Sequence, residues 1–256
     1  MAYGHFYKEN VEYVYQDKAK SPSKMLAKSF GYMAIGLDIT AVVGFLIAYI
    51  FALSFKEESF DSNGALTRTG GIYFALMIVS FIALIIDSFA MNAVLARGKH
   101  SLWIPYIIYS VLMGVLMSSF VLVIDFWTIG EALGISAGVF LILFLIGYFS
   151  KVDLNPLAFV GLGFLMLMGF IGLFWGIFFF INPGAFIVYN VIFSFAFAII
   201  MLIVVAADAY NIKRILATAQ DNDNNLALYC AWTMYSDFII LFVRVLYIIA
   251  LIKGRD

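Results

Sequence analysis

Near the end of the chain lie two apolar stretches that each contain one aspartate, VVAADAYNIKRI at 204–215 and CAWTMYSDFIILFVRVL at 230–246. An ionised carboxylate at membrane depth costs ~2.5 kcal/mol or more, so such residues usually face a protein interior or a wet cavity and have a partner. The polar run QDNDNN at 220–225 separates the two stretches. We therefore expect Asp208 and Asp237 to lie on two successive antiparallel helices and to meet across that helix pair.

The composition of the chain is that of a membrane protein. Hydrophobic residues make up 64% of the 256 residues, charged residues make up 12%, and the mean hydropathy is +1.02. A soluble domain has roughly 45 to 50% apolar and about 25% charged residues. The net charge of −1 and the lack of a basic stripe argue against a nucleic-acid partner. The sequence predicts an all-α, polytopic membrane protein in the form of a seven-helix bundle.

Seven apolar segments separated by polar or proline-containing connections are the predicted spans. They cover residues 29–54, 71–96, 102–124, 132–150, 157–181, 185–210 and 226–252. Segments of about 20 to 25 residues suffice to cross a bilayer, and seven of them nearly use up the chain. We expect residues 1–28 to form an N-terminal tail, 29–252 the membrane domain and 253–256 a C-terminal tail. A turn that includes Asp125 and Glu131 is predicted between spans three and four.

The Lys and Arg residues of the connections predict the orientation. If the N-terminus is cytoplasmic, ten of them fall in inside segments and four in outside segments. Short cytoplasmic connections of membrane proteins carry the excess of Lys and Arg. We therefore expect a cytoplasmic N-terminus, with Asp208 and Asp237 in the cytoplasmic half of the membrane. The chain ends in GRD rather than in an endoplasmic reticulum retrieval signal, so a bacterial cell membrane is expected rather than an organelle membrane.

Arg97 ends span two on the same side and is a candidate latch, or counter-ion, for the two aspartates. Two close carboxylates do not both ionise easily. A shared proton or a contact with Arg97 would hold the cytoplasmic end closed. Loss of the proton would make Asp208 and Asp237 repel, or free them to coordinate transiently a hard cation such as Ca²⁺, which prefers carboxylate oxygens. This pattern predicts a proton-sensitive switch.

Three further charged residues lie inside predicted spans. A lone aspartate in a membrane can also serve only to hydrogen-bond a neighbouring helix. For Asp87 in span two and Asp38 in span one, that role and the lining of a pore or pocket both stay open. Arg244 follows Asp237 by two turns on the same helix face. It is either another carboxylate partner or is buried against backbone carbonyls.

The sequence contains no recognisable catalytic pattern. His5 and His100 are too far apart for a metal-ligand spacing, and there is no phosphate-binding glycine loop or nucleophile elbow. A retinal protein needs a lysine inside its last span, whereas Lys253 stands at the end of this one. Cys230 lies in an apolar stretch, where a packed thiol is expected. We therefore expect neither an enzyme nor a resident cofactor.

Three segments of the C-terminal half carry a family resemblance. GYFSKVDL at 147–154 is similar to a tyrosine-containing stretch that ends in Thr-Lys-x-Asp-Leu or Phe. ADAYNIKRI at 207–215 is similar to a Tyr-Asp-x-x-x-Ile segment, with Asp208 in the aspartate position. ALYCAWTMYSDFIILF at 227–242 is similar to an Ala-Leu-x-Leu-Tyr-x-Asp-Phe-Ile-Asn-Leu-Phe block, with Asp237 in the aspartate position. Together they resemble the Bax inhibitor-1 family, the transmembrane Bax inhibitor motif proteins.

The resemblance implies a seven-helix fold whose last helix is central and is wrapped by the others. It also implies a pH-sensitive calcium leak that is gated by Asp208 and Asp237 and latched by Arg97, with the lipid bilayer, Ca²⁺ and protons as partners. The family includes cell-death suppressors and modulators of a membrane protease. The alternative is therefore a non-conducting regulator that binds a membrane protease or a cell-death factor, and a proton-coupled transporter of small solutes is a third possibility.

Overall fold

The fold is all-helical in the residues that the computed structural model describes, which are 22–54, 68–97, 101–178, 183–218 and 224–253. Seven helices follow one another: α1 (Pro22–Ser54), α2 (Arg68–Arg97), α3 (Trp103–Val123), α4 (Phe126–Phe149), α5 (Asn155–Phe178), α6 (Pro183–Thr218) and α7 (Asn224–Lys253). These ranges contain no strand. The predicted all-α class is confirmed for them.

Six stretches of these helices are long and apolar enough to cross a membrane. They are Lys24–Ala52, Gly70–Ala96, Trp103–Val123, Phe126–Phe149, Ile192–Ala217 and Asn224–Lys253. A shorter apolar stretch, Asn155–Phe164, opens α5. The protein is thus an integral, multi-pass membrane protein, as its composition predicts.

The four prolines of the sequence all stand at the beginning of helices. Pro22 and Pro183 are the first residues of α1 and α6, Pro156 is the second residue of α5, and Pro105 is the third residue of α3. Proline is tolerated in the first turn because the N–H that it lacks would have no partner inside the helix there. The apolar helices therefore run without a proline in their interior.

The connection between α3 and α4 is shorter than predicted. α3 ends at Val123 and α4 begins at Phe126, so only Ile124 and Asp125 join them. Ile124 is extended, with φ −110° and ψ 137°, and this single residue turns the chain. The prediction that the turn reaches Glu131 is wrong, because Glu131 lies in the second turn of α4.

Helix α6 is longer than predicted and continues for ten residues past Asp208 to Thr218. The basic segment beyond the predicted end of the span remains helical because Ile212 and Leu216 recur at helical spacing and are both buried. Arg214 is exposed between them. Asp208 therefore lies within the helix rather than at its end, which corrects the predicted boundary.

The chain divides into two compact units. Of the described residues, the first comprises those from 22 to 126 and from 224 to 235, and the second comprises those from 127 to 218 and from 236 to 253. The first unit thus contains α1, α2, α3 and the beginning of α7. The second contains α4, α5, α6 and the remainder of α7, including both aspartates of the predicted pair.

In the first unit, α1 packs closely against α3 through small residues. A Cβ on Gly36 would overlap the Tyr106 hydroxyl, and one on Gly114 would lie 2.9 Å from the Thr40 carbonyl oxygen. The Tyr106 hydroxyl donates to the Tyr32 carbonyl at 2.6 Å, and the Thr40 hydroxyl donates to the Ser110 carbonyl at 3.0 Å. The buried polar groups of this contact are therefore neutral hydroxyls with partners.

In the second unit, α4 and α5 both pack against α6. A Cβ on Gly147 would overlap the backbone of Ala206, so α4 and α6 approach each other with backbone contact at this point. Ala158 of α5 lies in a core cluster with Met201, Val204 and Ala207 of α6. These small residues bring three helices close together immediately before Asp208.

Candidate functional site

Asp237 is a buried carboxyl group on α7. Its relative exposure is 7%, and Phe238, Ile239 and Leu241, which follow it, are buried as well. Phe238 makes an edge-on ring contact with Phe140 of α4, with 5.8 Å between the ring centroids. Apolar and aromatic side chains therefore keep this carboxyl group from bulk water.

Asp208 lies on α6 between two buried alanines, Ala207 and Ala209, and is itself only partly exposed. The alanines have no side chain beyond Cβ, so the neighbouring helices can approach the backbone of α6 here. The overlap that a side chain on Gly147 would cause with Ala206 shows how close that approach is. The sequence VVAADA thus places a carboxyl group where helices meet.

The carboxyl groups of Asp208 and Asp237 are hydrogen-bonded to each other. Two carboxylates cannot form such a bond because neither has a donor, so one of the two must carry a proton. A hydrogen bond between these two carboxyl groups therefore requires a proton on one of them. The structure brings together the two aspartates that the sequence pattern selected.

A pair of asparagines extends this site from Asp208. Asn211, three residues further along α6, forms a side-chain hydrogen bond with Asp208. Its side chain is also bonded twice to Asn155, the first residue of α5. Asn155 Nδ2 donates to Asn211 Oδ1 at 2.9 Å, and Asn211 Nδ2 donates to Asn155 Oδ1 at 2.6 Å. Four polar side chains from α5, α6 and α7 thus form one connected row.

The row ends at the polar connection between α4 and α5. Asp153 is exposed, and its Oδ1 accepts the backbone N–H of Asn155 at 3.0 Å. Lys213 of α6 donates to the carbonyl oxygen of Ser150 at 3.4 Å. Exposure therefore falls along the row from Asp153 through the half-buried asparagines to Asp237.

Arg244 contacts aromatic rings. Its guanidinium carbon lies 3.9 Å from the ring centroid of Phe197 and 5.7 Å from that of Phe193, both on α6. In the described ranges the ion pair present is Lys253 with Glu131, at 2.7 Å. This geometry is that of a cation–π contact, and both sequence-based alternatives for Arg244 stay predictions.

The remaining predicted residues belong to the first unit. Asp38 is exposed on α1. Asp87 on α2 is buried, and one of its oxygens, Oδ2, has no hydrogen-bond partner among the described residues. Arg97 is the last residue of α2, but its side chain lies outside the described part of the structure. The latch stays a prediction, as does pore lining by Asp38 and Asp87.

The described side chains offer few ligands to a metal ion. In the five described ranges no three His, Cys, Asp or Glu residues form a cluster that could hold one. Ca²⁺ takes six to eight oxygen ligands in a resident site. Asp208 and Asp237 alone fall short of that number.

Sequence reasoning missed Asn155 and Asn211. A signal was present, because Asn211 follows Asp208 by three residues and thus shares its helix face. The partner on α5 had no such signal, since Asn155 stands in the connection DLNP and reads as an ordinary helix start.

Comparisons with known proteins cover nearly the whole chain. A family model described as "Inhibitor of apoptosis-promoting Bax1" matches residues 22–255. The inner membrane protein YbhL of Escherichia coli K12 is 27% identical over 227 residues, which are 86% of this chain and 88% of YbhL. A membrane protein of Streptococcus pyogenes serotype M1 is 27% identical over 246 residues, 93% of this chain and 96% of its own. A protein of Borreliella burgdorferi is 29% identical over 234 residues, 88% of this chain and 90% of its own.

Proposed function

Because the chain belongs to the Bax inhibitor-1 family of membrane proteins, we propose that it is a pH-sensitive calcium leak channel gated by Asp208 and Asp237. The observation that carries the proposal is the hydrogen bond between two carboxyl groups of α6 and α7 in apolar surroundings. Such a bond exists only while the pair holds a proton. It therefore makes contact between the two helices depend on pH.

The energies favour opening when the proton leaves. Two unit charges ~4 Å apart repel by about 4 kcal/mol at an effective dielectric constant of about 20. A typical hydrogen bond contributes a net ~0.5 to 1.5 kcal/mol to stability. Loss of the shared proton from Asp208 and Asp237 thus replaces a modest attraction with a larger repulsion, and the carboxylates separate.

Separated carboxylates attract a hard cation. Ca²⁺ prefers carboxylate and carbonyl oxygens, and the row formed by Asp208, Asp237, Asn211 and Asn155 supplies such oxygens. Two carboxylates are too few for a resident site, which suits a leak because the ion has to depart again. Ca²⁺ is the cargo in this mechanism, and it moves down its own gradient.

The same proposal places the last helix centrally and the pair in the cytoplasmic half. Asp237, Phe238 and Ile239 are consecutive and all buried, whereas Ile240 is exposed, so neighbours cover most but not all of the circumference of α7 there, since an α-helix turns by about 100° per residue. The distribution of Lys and Arg supports a cytoplasmic N-terminus. The bacterial sources of the relatives support a bacterial cell membrane. Arg97 at the end of α2 is the proposed latch.

Calcium flux into proteoliposomes tests the proposal. Purified protein is reconstituted with a calcium-sensitive dye inside, and uptake is followed from about pH 6 to 8 for the wild type, Asp208→Asn and Asp237→Asn. We expect pH-dependent uptake in the wild type and a flux that no longer responds to pH in both variants. Silent liposomes with folded wild-type protein would instead favour a non-conducting regulator that binds a membrane protease or a cell-death factor.

A further inference from the structure

The amide pair Asn155–Asn211 is a fixed element beside the carboxyl pair. Its two side chains exchange two hydrogen bonds, at 2.9 and 2.6 Å, and both are half-buried. A reciprocal pair holds both amide planes in one orientation. Asn155 is further fixed by its backbone N–H, which donates to Asp153. Asn211 is therefore held in place by α5 and its connection to α4, as well as by its own helix.

The orientation of Asn211 determines what it offers to Asp208. Its Oδ1 accepts from Asn155, and one of its two amide hydrogens goes to Asn155 Oδ1. The second amide hydrogen remains for the side-chain bond with Asp208. Asp208 therefore accepts a hydrogen from Asn211, which favours the ionised form of Asp208 over its protonated form. The donors are arranged for an ionised Asp208 and a protonated Asp237.

We propose that the Asn155–Asn211 pair is a positioning element that keeps Asp208 as the acceptor of the proton shared with Asp237, and so sets the pH at which the carboxyl pair separates. This inference rests on the proposed function, because it concerns the gate of the same channel. Asn211 acts on Asp208 directly, and Asn155 acts through Asn211. The beginning of α5 is thereby tied to the gate.

The second unit has other titratable groups on α4, α6, α7 and the connection between α4 and α5. They are Tyr148 and Lys151 beside the end of α4, Asp153 before α5, Tyr210, Lys213 and Arg214 on α6, and Arg244 and Tyr247 on α7. Lys213 contacts the Ser150 carbonyl and lies 6.0 Å from the ring centroid of Tyr148. Arg214 lies 5.9 Å from the ring centroid of Tyr210. Asn211 is thus the described side chain of this unit that bonds to Asp208 from outside the pair.

The proposal is tested by the titration of the carboxyl pair itself. The protonated carboxyl is followed by its infrared C=O stretch in protein reconstituted in lipid nanodiscs, in parallel with calcium flux across the same pH range. The variants are Asn211→Leu, Asn155→Leu and the double variant. Asn92→Leu is the matched control, since Asn92 also makes side-chain hydrogen bonds on an apolar helix, to Ser88 and from Tyr229, but in the first unit.

We expect Asn211→Leu to move the infrared midpoint by about one pH unit toward alkaline pH, because ionised Asp208 loses a charge-assisted hydrogen bond. Asn155→Leu should move it in the same direction by less. The double variant should match Asn211→Leu alone, because Asn155 acts through Asn211. Asn92→Leu should leave the midpoint unchanged, and Asn211→Ser, which retains a donor, should restore part of the shift.

Unchanged infrared midpoints in folded Asn211→Leu and Asn155→Leu would overturn the proposal, as would additive shifts in the double variant. If Asn211→Leu does not fold, Asn155→Leu and Asn211→Ser decide by the same criterion. Failure of the channel assignment is distinguishable, because the infrared midpoint would still shift while the liposomes remain silent.

Discussion

The two units use the same kind of apolar helix but bury different polar chemistry. In the first unit the buried polar contacts join neutral hydroxyls, such as those of Thr40 and Tyr106, to backbone carbonyls. In the second unit two carboxyl groups share a hydrogen bond that requires a proton. Neutral hydroxyls keep their bonds from acid to mildly alkaline pH, whereas a shared proton does not. If the proposed function holds, the second unit is therefore the one in which we expect the pH response of flux to arise.

The buried aspartates of the two units differ in their hydrogen-bond partners. Asp87 in the first unit is buried, with one oxygen that has no hydrogen-bond partner in the described part of the chain. Asp208 and Asp237 in the second unit satisfy each other and reach Asn211. A single buried carboxyl group can simply remain neutral. Two carboxyl groups on different helices attract each other while they share a proton and repel each other when both are ionised.

The largest expected effect on stability comes from Gly147. The Gly147→Ala variant puts a methyl group into the backbone of Ala206, so α4 and α6 have to separate next to the carboxyl pair. We expect a loss of about 3 kcal/mol in the free energy of unfolding, measured by denaturation in detergent micelles, together with an altered pH response of flux. Gly138→Ala is the control. A Cβ on Gly138 would have no heavy atom of another described helix within 4 Å, so the added methyl group has space.

Gly36→Ala breaks the corresponding contact of the first unit. The added methyl group meets the buried Tyr106 hydroxyl rather than a backbone. We expect a smaller loss of about 2 kcal/mol in the same unfolding assay and no change in the midpoint of the pH–flux curve. A shifted midpoint in Gly36→Ala would contradict the assignment of pH sensing to the second unit.

Arg244 tests whether the second unit uses this half-buried cation for packing. Arg244→Leu removes the contact with Phe197, and we expect about 1 kcal/mol less stability toward unfolding. Arg244→Lys should recover only part of this loss, because an ammonium group cannot stack on the ring as a planar guanidinium does. Full recovery by lysine would indicate that charge alone matters at this position.

Asp87→Asn should have a smaller effect, of opposite sign. A neutral amide replaces a buried carboxyl group that lacks a full set of partners, so we expect stability to rise by up to about 1 kcal/mol with the pH midpoint of flux unchanged. Unfolding assays and flux curves measure both quantities. A midpoint that moves in this variant would extend the sensor into the first unit.

The smallest effect is expected at the ion pair of Lys253 with Glu131. Both side chains are about two-fifths exposed, at 43% and 40%, so water and salt weaken their attraction. Lys253→Gln should lower stability by no more than about 0.5 kcal/mol, and added salt should remove the difference. A loss that persists at high salt would indicate that the contact of Lys253 with Thr128 matters more than the charge.

The sequence predicts the features that hydropathy and charge encode. Membrane class and the approximate positions of the helices follow from apolar runs, although six rather than seven of the described helices are long and apolar enough to span a membrane. The C-terminal motifs lead to the family that the comparisons confirm. The end of α6 is misplaced because Lys213 and Arg214 read as a loop, although Ile212 and Leu216 continue the helical pattern.

Tertiary contacts are what the sequence does not reveal. Gly134 and Gly138 have the four-residue spacing of closely packed helices, yet a Cβ on either would meet no described neighbour, whereas Gly147 makes the close approach. Spacing defines a helix face but not which neighbour covers it. The contact of Asn155 with Asn211 likewise exists only because α5 packs against α6. Since an amide is uncharged, a search for charged residues inside apolar segments does not find it.

The central claim is that one proton shared by Asp208 and Asp237 governs calcium flux. It is tested most directly by recording the infrared signal of the protonated carboxyl group and the calcium flux of one reconstituted sample at the same pH values. We expect the two curves to share a midpoint in the wild type, and both transitions to disappear in Asp208→Asn. A carboxyl signal that titrates while flux stays constant, or a pH-dependent flux that survives in Asp208→Asn, would contradict the account.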